Sequence, residues 1–345
     1  MTPRLIRAKA PLRVSFAGGG TDVSPFVERE GGCVVSATIN RYAHGTLRAR
    51  AAPHVKIQSL DFGTSVEYDS RELTQYDGKF DLAKAAISRL CPGEAVGLDL
   101  FLHSDVPPGS GLGSSSTLMV TLVGLLNEYR HLALGAHRIA ALAYEIERVD
   151  LGVRGGYQDQ YAAAFGGFNF MEFTAKGVAV TPLDLPPGLV NELEASLLLA
   201  YSGAPRMSSH IIEDQVARYE RGEEESIQSL RRLKALAIEM RDALLAERLA
   251  DFGELLHVEW QTKQRLSPKI GTQHLGELYA AARETGAIGG KAAGAGGGGF
   301  LLLCCPFDKK HRVAQRLQEL GCTVSDLAFS REGVQTWTVP DPAAD

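Results

Sequence analysis

The chain has 345 residues, enough for one large domain or two. Its 45% hydrophobic and 22% charged residues are ordinary for a soluble globular protein, and a net charge of −5 excludes a broad nucleic-acid-binding surface. The longest apolar run, Leu118 to Leu126, is too short to span a membrane. Five cysteines without Cys-x-x-Cys spacing indicate buried thiols in a reducing cytoplasm.

The first half of the chain mixes strand and helix patterns. Short runs rich in β-branched residues predict strands, and longer apolar periodicities predict helices. The predicted strands are 10–16, 33–39, 44–50, 54–59 and 97–103, with a hairpin at 166–173 and 178–181, and the predicted helices are 81–90, 117–130 and 137–149.

After Pro186-Pro187-Gly188 the pattern changes to long, charged helices. The predicted elements are a strand at 195–201, helices at 208–221, 224–247, 250–264 and 273–285, and a final strand 299–304, helix 309–320, strand 323–329 and strand 334–338. The change in character predicts one domain over residues 1–187 and a second over 188–345.

Glycine and proline are concentrated in the stretch Asp105–Thr117, immediately before an apolar helical run. Small residues let backbone N–H groups turn towards an anion, and a helix N-terminus adds further N–H groups and a positive dipole end. The stretch therefore predicts a polyphosphate-binding loop. No lysine follows the glycines, which excludes a Walker A loop. An ordinary turn with a serine cap is the alternative.

A second glycine run, Gly294–Gly299, formally matches Gly-x-Gly-x-x-Gly. A dinucleotide-binding fingerprint needs a strand before the glycines and a helix after them. Here the strand follows the glycines, so we reject the Rossmann interpretation. The run is expected to let backbone approach a ligand or a neighbouring loop.

Three segments together resemble the motifs of the GHMP kinases, the superfamily of galactokinase, homoserine kinase, mevalonate kinase and phosphomevalonate kinase. Pro11–Asp22 is similar to the first motif, Pro107–Ser116 to the second, ATP-binding motif, and Gly286–Gly299 to the third. The resemblance implies an α+β fold, with an N-terminal mixed α/β domain and a C-terminal ferredoxin-like α/β domain with additional helices. It also implies an enzyme that uses ATP and Mg²⁺.

Shorter patterns resemble one branch of the superfamily, the D-glycero-α-D-manno-heptose 7-phosphate kinases. They are Gly18–Asp22, Gly155–Tyr161, Phe165–Asn169, Tyr201–Arg206 and Gly289–Lys291. The resemblance implies phosphorylation of the anomeric hydroxyl to give the 1,7-bisphosphate for GDP-heptose synthesis. Kinases of L-fucose share part of this pattern and are the alternative.

Two other classes of function stay open. One is a non-catalytic sugar- and ATP-binding regulator of the same fold, and the more distant one is an isoprenoid-pathway decarboxylase. The resemblance implies a sugar phosphate and ATP as partners, with no nucleic acid and no membrane. The sequence leaves a homo-oligomer open.

By this resemblance the nucleotide phosphates bind along the second motif. Its residues are Ser104, Pro108, Gly109, Ser110, Gly111, Leu112, Gly113, Ser114, Ser115 and Ser116. Mg²⁺, which prefers oxygen ligands, would be held by the Ser115 hydroxyl and the Glu147 carboxylate. Glu145 is the rival, because both glutamates flank the apolar stripe of their helix equally. The family motif Glu147-Arg148-Val149 favours Glu147.

Asp159 matches the catalytic aspartate of the family and would accept the proton of the sugar hydroxyl. Arg13 matches the basic residue of the first motif and would orient Asp159. The alternative for Asp159 is a surface carboxylate or a helix cap. The resemblance assigns the acceptor sugar to Gly19, Gly20, Thr21, Asp22, Gly156, Asp159, Arg206 and Lys291.

The phosphate at position 7 of the sugar needs cationic partners. Arg206 is the first candidate, because arginine binds phosphate bidentately. Lys291 and Arg154 are the others. The alternatives here are an Asx-type turn for Asp22 and a solvated surface lysine for Lys291.

Overall fold

A computed structural model describes residues 4–70, 73, 75–203 and 209–342. The strands are β1 (Arg4–Ala17), β2 (Gly32–Ala49), β3 (His54–Ser59), β4 (Thr64–Asp69), β5 (Leu98–Ser104), β6 (Phe168–Thr174), β7 (Gly177–Pro182), β8 (Leu197–Tyr201), β9 (Gly289–Ala292), β10 (Phe300–Cys304), β11 (Thr323–Ser325) and β12 (Gln335–Pro340). The helices are α1 (Phe26–Glu30), α2 (Asp81–Leu90), α3 (Ser114–Arg130), α4 (Ala136–Tyr144), α5 (Gln158–Phe165), α6 (Pro187–Ser196), α7 (Ser209–Glu220), α8 (Glu224–Leu245), α9 (Leu249–Gln264), α10 (Gln273–Thr285) and α11 (Lys310–Glu319).

The larger sheet has the order β12-β1-β2-β5-β3-β4, with β6 and β7 attached along the free half of β2. Only the pair β3–β5 is parallel among the strand pairs of the described residues. The sequence predicted two strands, 33–39 and 44–50, where the structure has the single strand β2. One side of this strand pairs first with β6 over Gly32–Ala37 and then with β5 over Ala43–Ala49.

The side chains of β1 change face where its pairing with β2 becomes irregular. The register against β2 shifts between Pro11 and Arg13. Before this shift, Ala10 packs into the core cluster beneath α3 and α5, whereas Leu12 packs into the cluster beneath α8 and α9. Between the pairs made by Pro11 and Arg13, β1 has one residue and β2 has three, and the side chains of β1 change face at this irregularity. Arg13 is thereby aimed towards α5.

The smaller sheet has the order β11-β8-β10-β9 and is entirely antiparallel. Its core cluster joins β8 and β10 to helices α8–α11. The predicted boundary at 187/188 coincides with the start of α6, a helix that the sequence analysis missed. We propose this point as the domain boundary. The chain returns to the first domain at its end, because β12 pairs with β1 of the larger sheet.

Helix bounds differ from prediction at two points near the glycine loop. Helix α3 begins at Ser114, not at 117, so all three serines lie in its first turn. The predicted helix 137–149 ends as α-helix at Tyr144 and continues as a π-helical turn over Glu145–Asp150. In a π-helical turn the hydrogen bonds span five residues, and such turns are frequent at functional sites.

All five cysteines are buried and free. None of the helices within the described residues is both long enough and apolar enough to cross a membrane.

Candidate active site

Two clefts meet at the glycine loop that joins β5 to α3. The first has a volume of about 490 Å³ and lies between this loop, the end of β1 and α5. The second has a volume of about 1050 Å³ and is lined by apolar side chains, including Phe62, Phe80 and Leu118. Both clefts are bordered by Pro108, Gly109, Ser114 and Ser115. A ligand that occupies both clefts would therefore cross the loop.

The glycine loop depends on left-handed backbone at Gly109, Gly111 and Gly113, with φ of 74°, 84° and 78°. L-residues with side chains adopt this region at a cost of about 1–2 kcal/mol. Gly111 also lacks room for a side chain, since a Cβ atom there would lie 2.5 Å from the Ala293 carbonyl oxygen. The third motif therefore packs against the second, as expected of a run that lets backbone approach a neighbouring loop.

Arg13 and Asp159 form an ion pair beside this loop. Arg13 Nη2 lies 2.5 Å from Asp159 Oδ1, and Nε donates to the same oxygen at 2.8 Å. Nη1 of the arginine donates to the Gly111 carbonyl at 2.8 Å. The guanidinium is 3% exposed, and the aspartate side chain is 20% exposed and lines the first cleft. The carboxylate thus lies in the first turn of α5, held by a cation and open to a ligand.

Glu147 lies in the π-helical turn and is fully buried against the same loop. Its Oε1 accepts a hydrogen bond from Ser115 Oγ at 2.7 Å, and its Oε2 accepts one from Gln160 Nε2 at 2.7 Å. Arg148 Nη1 lies 3.3 Å from Oε1. Glu145, the rival, instead forms ion pairs with Arg89 and Arg138 away from both clefts. The geometry separates the two glutamates, which helical periodicity could not do.

Asp22 is almost fully buried at the wall of the first cleft. It accepts hydrogen bonds from the backbone N–H of Gly20 at 3.0 Å and from the backbone and side chain of Gln158, each at 3.1 Å. Gly156 must be glycine here, since a Cβ atom would lie 2.0 Å from Asp22 Oδ2. Asp22 therefore supports the N-terminus of α5 and borders the cleft at the same time.

Thr21 and Gly19 lie next to Asp22 but do not line the first cleft. Thr21 is fully buried, and its hydroxyl donates to the carbonyl oxygen of Gly18 at 2.8 Å and accepts from Cys33 N–H at 3.1 Å. We correct the expectation that Thr21 lines the sugar pocket, because its hydroxyl fixes the loop from within. Gly19 does not border the cleft, but a side chain there would press on Lys263 and Gln158, which do.

Known proteins resemble the chain over nearly its whole length. The family pattern "GHMP kinases N terminal domain" matches residues 81–167, and "GHMP kinases C terminal" matches 240–321. The D-glycero-alpha-D-manno-heptose 7-phosphate kinase of Campylobacter jejuni is 38% identical over 97% of this chain and 100% of its own length. The chain belongs to the GHMP kinases.

Solved structures agree with this membership. The crystal structure of a D-glycero-D-manno-heptose 1-phosphate kinase from Bacteroides thetaiotaomicron has a TM-score of 0.82 and 33% identity, covering 97% of this chain and 99% of that one. Lactococcus lactis galactokinase, at a TM-score of 0.77 and 20% identity, covers 96% and 95% and shows the shared fold alone. The expected α+β GHMP kinase fold is confirmed.

Lys291 of this GHMP kinase does not reach either cleft. It is 1% exposed, and its Nζ lies 3.0 Å from Glu259 Oε1 and 3.3 Å from the Phe16 carbonyl oxygen. We correct the expectation that Lys291 binds the sugar phosphate, and it is not a surface lysine either. Arg154 is exposed at the rim of the first cleft. Arg206, the first candidate, lies outside the described residues.

The remaining residues of the second motif divide by position. Ser104 borders the second cleft, and its hydroxyl donates to the Val106 carbonyl at 3.0 Å. Ser110 and Leu112 are fully buried, so their side chains hold the loop and only their backbone can face a ligand. Ser116 is 1% exposed and accepts hydrogen bonds from Arg148 Nη2 at 2.9 Å and Gln160 Nε2 at 3.1 Å.

The sequence analysis missed several residues that border the first cleft. They are Arg148, Gln158, Gln215 and Lys263. Only Lys263 gave a signal: with Glu259 it lies on the stripe of α9 that also carries Phe252 and Leu256, at the spacing of a buried helix face. Charged residues on such a stripe are rarely buried without a partner or a function.

Proposed function

We propose that this GHMP kinase transfers the γ-phosphoryl group of ATP to the anomeric hydroxyl of D-glycero-α-D-manno-heptose 7-phosphate. The observation that carries the proposal is the Arg13–Asp159 ion pair at the junction of the glycine loop and the first cleft. A carboxylate at this point is within reach of both an acceptor hydroxyl and a phosphate held by the loop. The heptose 7-phosphate kinase of C. jejuni, 38% identical over its full length, supports the choice of sugar.

ATP would occupy the second cleft and the loop. The apolar lining by Phe62, Phe80 and Leu118 suits a purine base and ribose. The backbone N–H groups between Pro108 and Ser116, together with the N-terminus of α3, suit the phosphates. The γ-phosphate would then extend towards Asp159 in the first cleft.

Ser115 and Glu147 fit a magnesium site. The two oxygens lie 2.7 Å apart beside the loop, and the hydrogen bond that joins them can be exchanged for shared coordination. Mg²⁺ usually keeps several waters and takes only one or two protein ligands besides phosphate oxygens. When bound, the ion neutralises charge on the β- and γ-phosphates. Gln160, which donates to the other Glu147 oxygen, would hold the carboxylate in this orientation.

Asp159 would accept the proton of the anomeric hydroxyl as its oxygen attacks the γ-phosphorus. The new O–P bond forms while the bond from phosphorus to the β-γ bridging oxygen breaks and ADP leaves. Arg13 fixes Asp159 through Nε and Nη2 and adds positive charge beside the transferred group. These residues position the reacting groups and neutralise negative charge, which is most of what phosphoryl transfer requires.

The acceptor sugar would lie against Asp22, Gly20 and Gly156. Asp22 would accept hydrogen bonds from neighbouring hydroxyls of the sugar, in addition to those that it accepts from Gly20 and Gln158. For the 7-phosphate we propose Arg206 and Arg154, because arginine binds phosphate bidentately. Arg154 also borders the outer part of the cleft. The five buried free thiols support a cytoplasmic location.

The two related heptose kinases are named for different positions of the substrate phosphate, position 7 in one and position 1 in the other. The test is therefore an ADP-release assay with ATP and Mg²⁺ over heptose 7-phosphate, heptose 1-phosphate, unphosphorylated heptose and L-fucose. The position of the new phosphate is determined by ³¹P NMR. We expect the highest kcat/KM with heptose 7-phosphate and a 1,7-bisphosphate product. Turnover of L-fucose alone, or of no sugar, would contradict the proposal.

A further inference from the structure

Lys263 is a buried lysine at the floor of the first cleft. It lies on α9, is 4% exposed, and borders the cleft together with Asp22 and Gln158. Its Nζ donates a hydrogen bond to the Gly294 carbonyl oxygen at 2.8 Å. Across the described ranges this carbonyl is its one hydrogen-bond acceptor, although an ammonium group has three N–H donors. Two donors are thus available to a ligand.

Other unsatisfied polar atoms surround this amine. A Cβ atom built on Gly19 would lie 3.2 Å from Lys263 Nζ, 3.3 Å from Ser15 Oγ and 3.6 Å from Gln158 Nε2, so the three side chains converge on one point. Ser15 Oγ and Gln158 Oε1 are buried and have no hydrogen-bond partner in the described part of the chain. Buried polar groups are nearly always hydrogen-bonded in native proteins. Of these residues, Gln158 borders the cleft beside Lys263, so its amide oxygen and the lysine amine are available to ligand hydroxyl groups.

Two of the nearby carboxylates already have cations of their own. Glu259 of α9 pairs with Lys291 of β9 at 3.0 Å, and Asp159 of α5 pairs with Arg13 of β1. Burial, together with the charges of Lys291 and Arg13, lowers the pKa of Lys263 to about 7, against the opposing effect of Glu259 and Asp22. The amine therefore exchanges a proton easily in the physiological range.

We propose that Lys263 contacts the acceptor sugar, donating hydrogen bonds from the floor of the cleft to sugar hydroxyl oxygens, and that it takes up a proton from solvent when a phosphorylated sugar binds. This inference rests on the proposed function. The bound phosphate brings negative charge into a cleft of low dielectric constant, where it favours the ammonium form. The carboxylate of Asp22 and the amide oxygen of Gln158 would accept the protons of the same hydroxyls. Lys263 is in this role a determinant of sugar specificity.

The test compares the wild-type protein with Lys263→Met, which keeps the length of the side chain and removes the amine, and with Lys269→Met, an exposed control. KM is measured separately for the sugar phosphate and for ATP. We expect K263M to raise KM for the sugar by about tenfold or more, the loss typical of a hydrogen bond to a charged group. KM for ATP should change by less than about twofold, and K269M should behave as wild type.

Proton uptake gives a second readout that a merely structural lysine would not affect. Binding of the sugar phosphate is measured by titration calorimetry at about pH 8 in two buffers of different ionisation enthalpy, where the phosphate itself is already ionised. Wild-type protein should take up protons on binding, and K263M should take up fewer. An unchanged KM for the sugar with unchanged proton uptake would overturn the proposal. So would an equal rise in both KM values together with a lower melting temperature.

The two proposals fail in different ways. If the wild-type protein phosphorylates no sugar of the panel, the proposed function is wrong. If the wild-type protein is active on heptose 7-phosphate and K263M matches it in sugar KM and proton uptake, only the role of Lys263 is wrong.

Discussion

Arg13 and Asp159 are 146 residues apart in the chain, yet the Arg13 guanidinium donates to a single Asp159 oxygen through Nε at 2.8 Å. The irregular pairing of β1 with β2 turns the arginine towards α5, and Arg13 Nη1 donates to the Gly111 carbonyl oxygen. Asp159 lines the first cleft, and both arginine atoms that contact it, Nε and Nη2, lie at its Oδ1 atom. The ion pair therefore holds the Asp159 carboxylate in one orientation, as the proposed role of proton acceptor requires.

Asp159→Asn should remove the proton acceptor while keeping its shape. We expect kcat to fall by about 10²–10⁴-fold, the range typical of a lost general base, with little change in nucleotide binding. The measurement is steady-state kinetics together with the Kd for ATP. Asp184→Asn, at an exposed position, is the control and should retain wild-type kcat. Near wild-type turnover by D159N would remove Asp159 from the role of base.

Gly113→Ala tests whether the glycine loop positions Asp159. A Cβ atom at this site would lie 3.1 Å from Asp159 Cγ, so the carboxylate must move. Because φ is +78°, the alanine also costs about 1–2 kcal/mol in stability. Gly93→Ala is a matched control, with φ of +69° and nothing within 4 Å of the new Cβ atom.

Both glycine variants should lower the melting temperature by similar amounts. Only G113A should lose kcat, since a small misplacement of a reacting group can cost about 10²-fold. Equal kcat values for G113A and G93A would show that the carboxylate tolerates the displacement.

The sequence predicted the parts of the site that depend on local spacing. The turn from Pro108 to Gly113 follows from glycine chemistry, and the structure has it. Serine capping was wrong, because Gly113 is the N-cap residue of α3 and no side chain caps this helix. Lys291 was assigned wrongly, because its partner Glu259 lies on a different element and the sequence gives no sign that the two meet. The spacing along α9 marks Lys263 as buried, but the Gly294 carbonyl that it contacts and the cleft that it borders lie on other elements. Which charges are neutralised depends on tertiary contacts between elements.

Glu147→Gln and Glu145→Gln test the assignment of the metal ligand. An amide oxygen binds Mg²⁺ more weakly than a carboxylate, so E147Q should need a higher Mg²⁺ concentration for half-maximal activity at fixed ATP. We expect a shift of about tenfold or more, the loss found when a charged interaction is removed from a buried site. E145Q loses only partly exposed ion pairs with Arg89 and Arg138 and should show a wild-type Mg²⁺ titration. A larger shift of the Mg²⁺ titration in E145Q than in E147Q would assign the metal ligand to Glu145.

Arg206→Ala and Arg154→Ala test how the sugar phosphate is recognised. If an arginine binds the 7-phosphate, its loss should raise KM for heptose 7-phosphate far more than for unphosphorylated heptose, because only the former has the dianion. Arg221→Ala is the control, since Arg221 is exposed and pairs with Glu223. An equal effect of R206A on both sugars would assign Arg206 a role other than phosphate binding.

Lys263→Met should also change the dependence of stability on pH. The pKa of Lys263 is about 7 in the folded protein, against the ordinary value of 10.5 expected of the unfolded chain. Between these values the unfolded chain binds more protons, so the lysine makes the free energy of unfolding rise with pH over this interval. Methionine has no such effect. Relative to wild type, K263M should therefore be most stable below about pH 7, where the buried amine is charged, and should lose this advantage as the pH rises towards 10.

The measurement is the difference in the free energy of unfolding between K263M and wild type, from urea titrations at several pH values without ligands. The difference isolates residue 263, because every other titrating group is common to both proteins. K269M, at an exposed lysine, should show no pH-dependent difference. A constant difference between K263M and wild type from pH 6 to pH 9 would mean that Lys263 keeps its ordinary pKa. The cleft floor would then hold a permanent cation, and the proton uptake expected on sugar binding would lose its source.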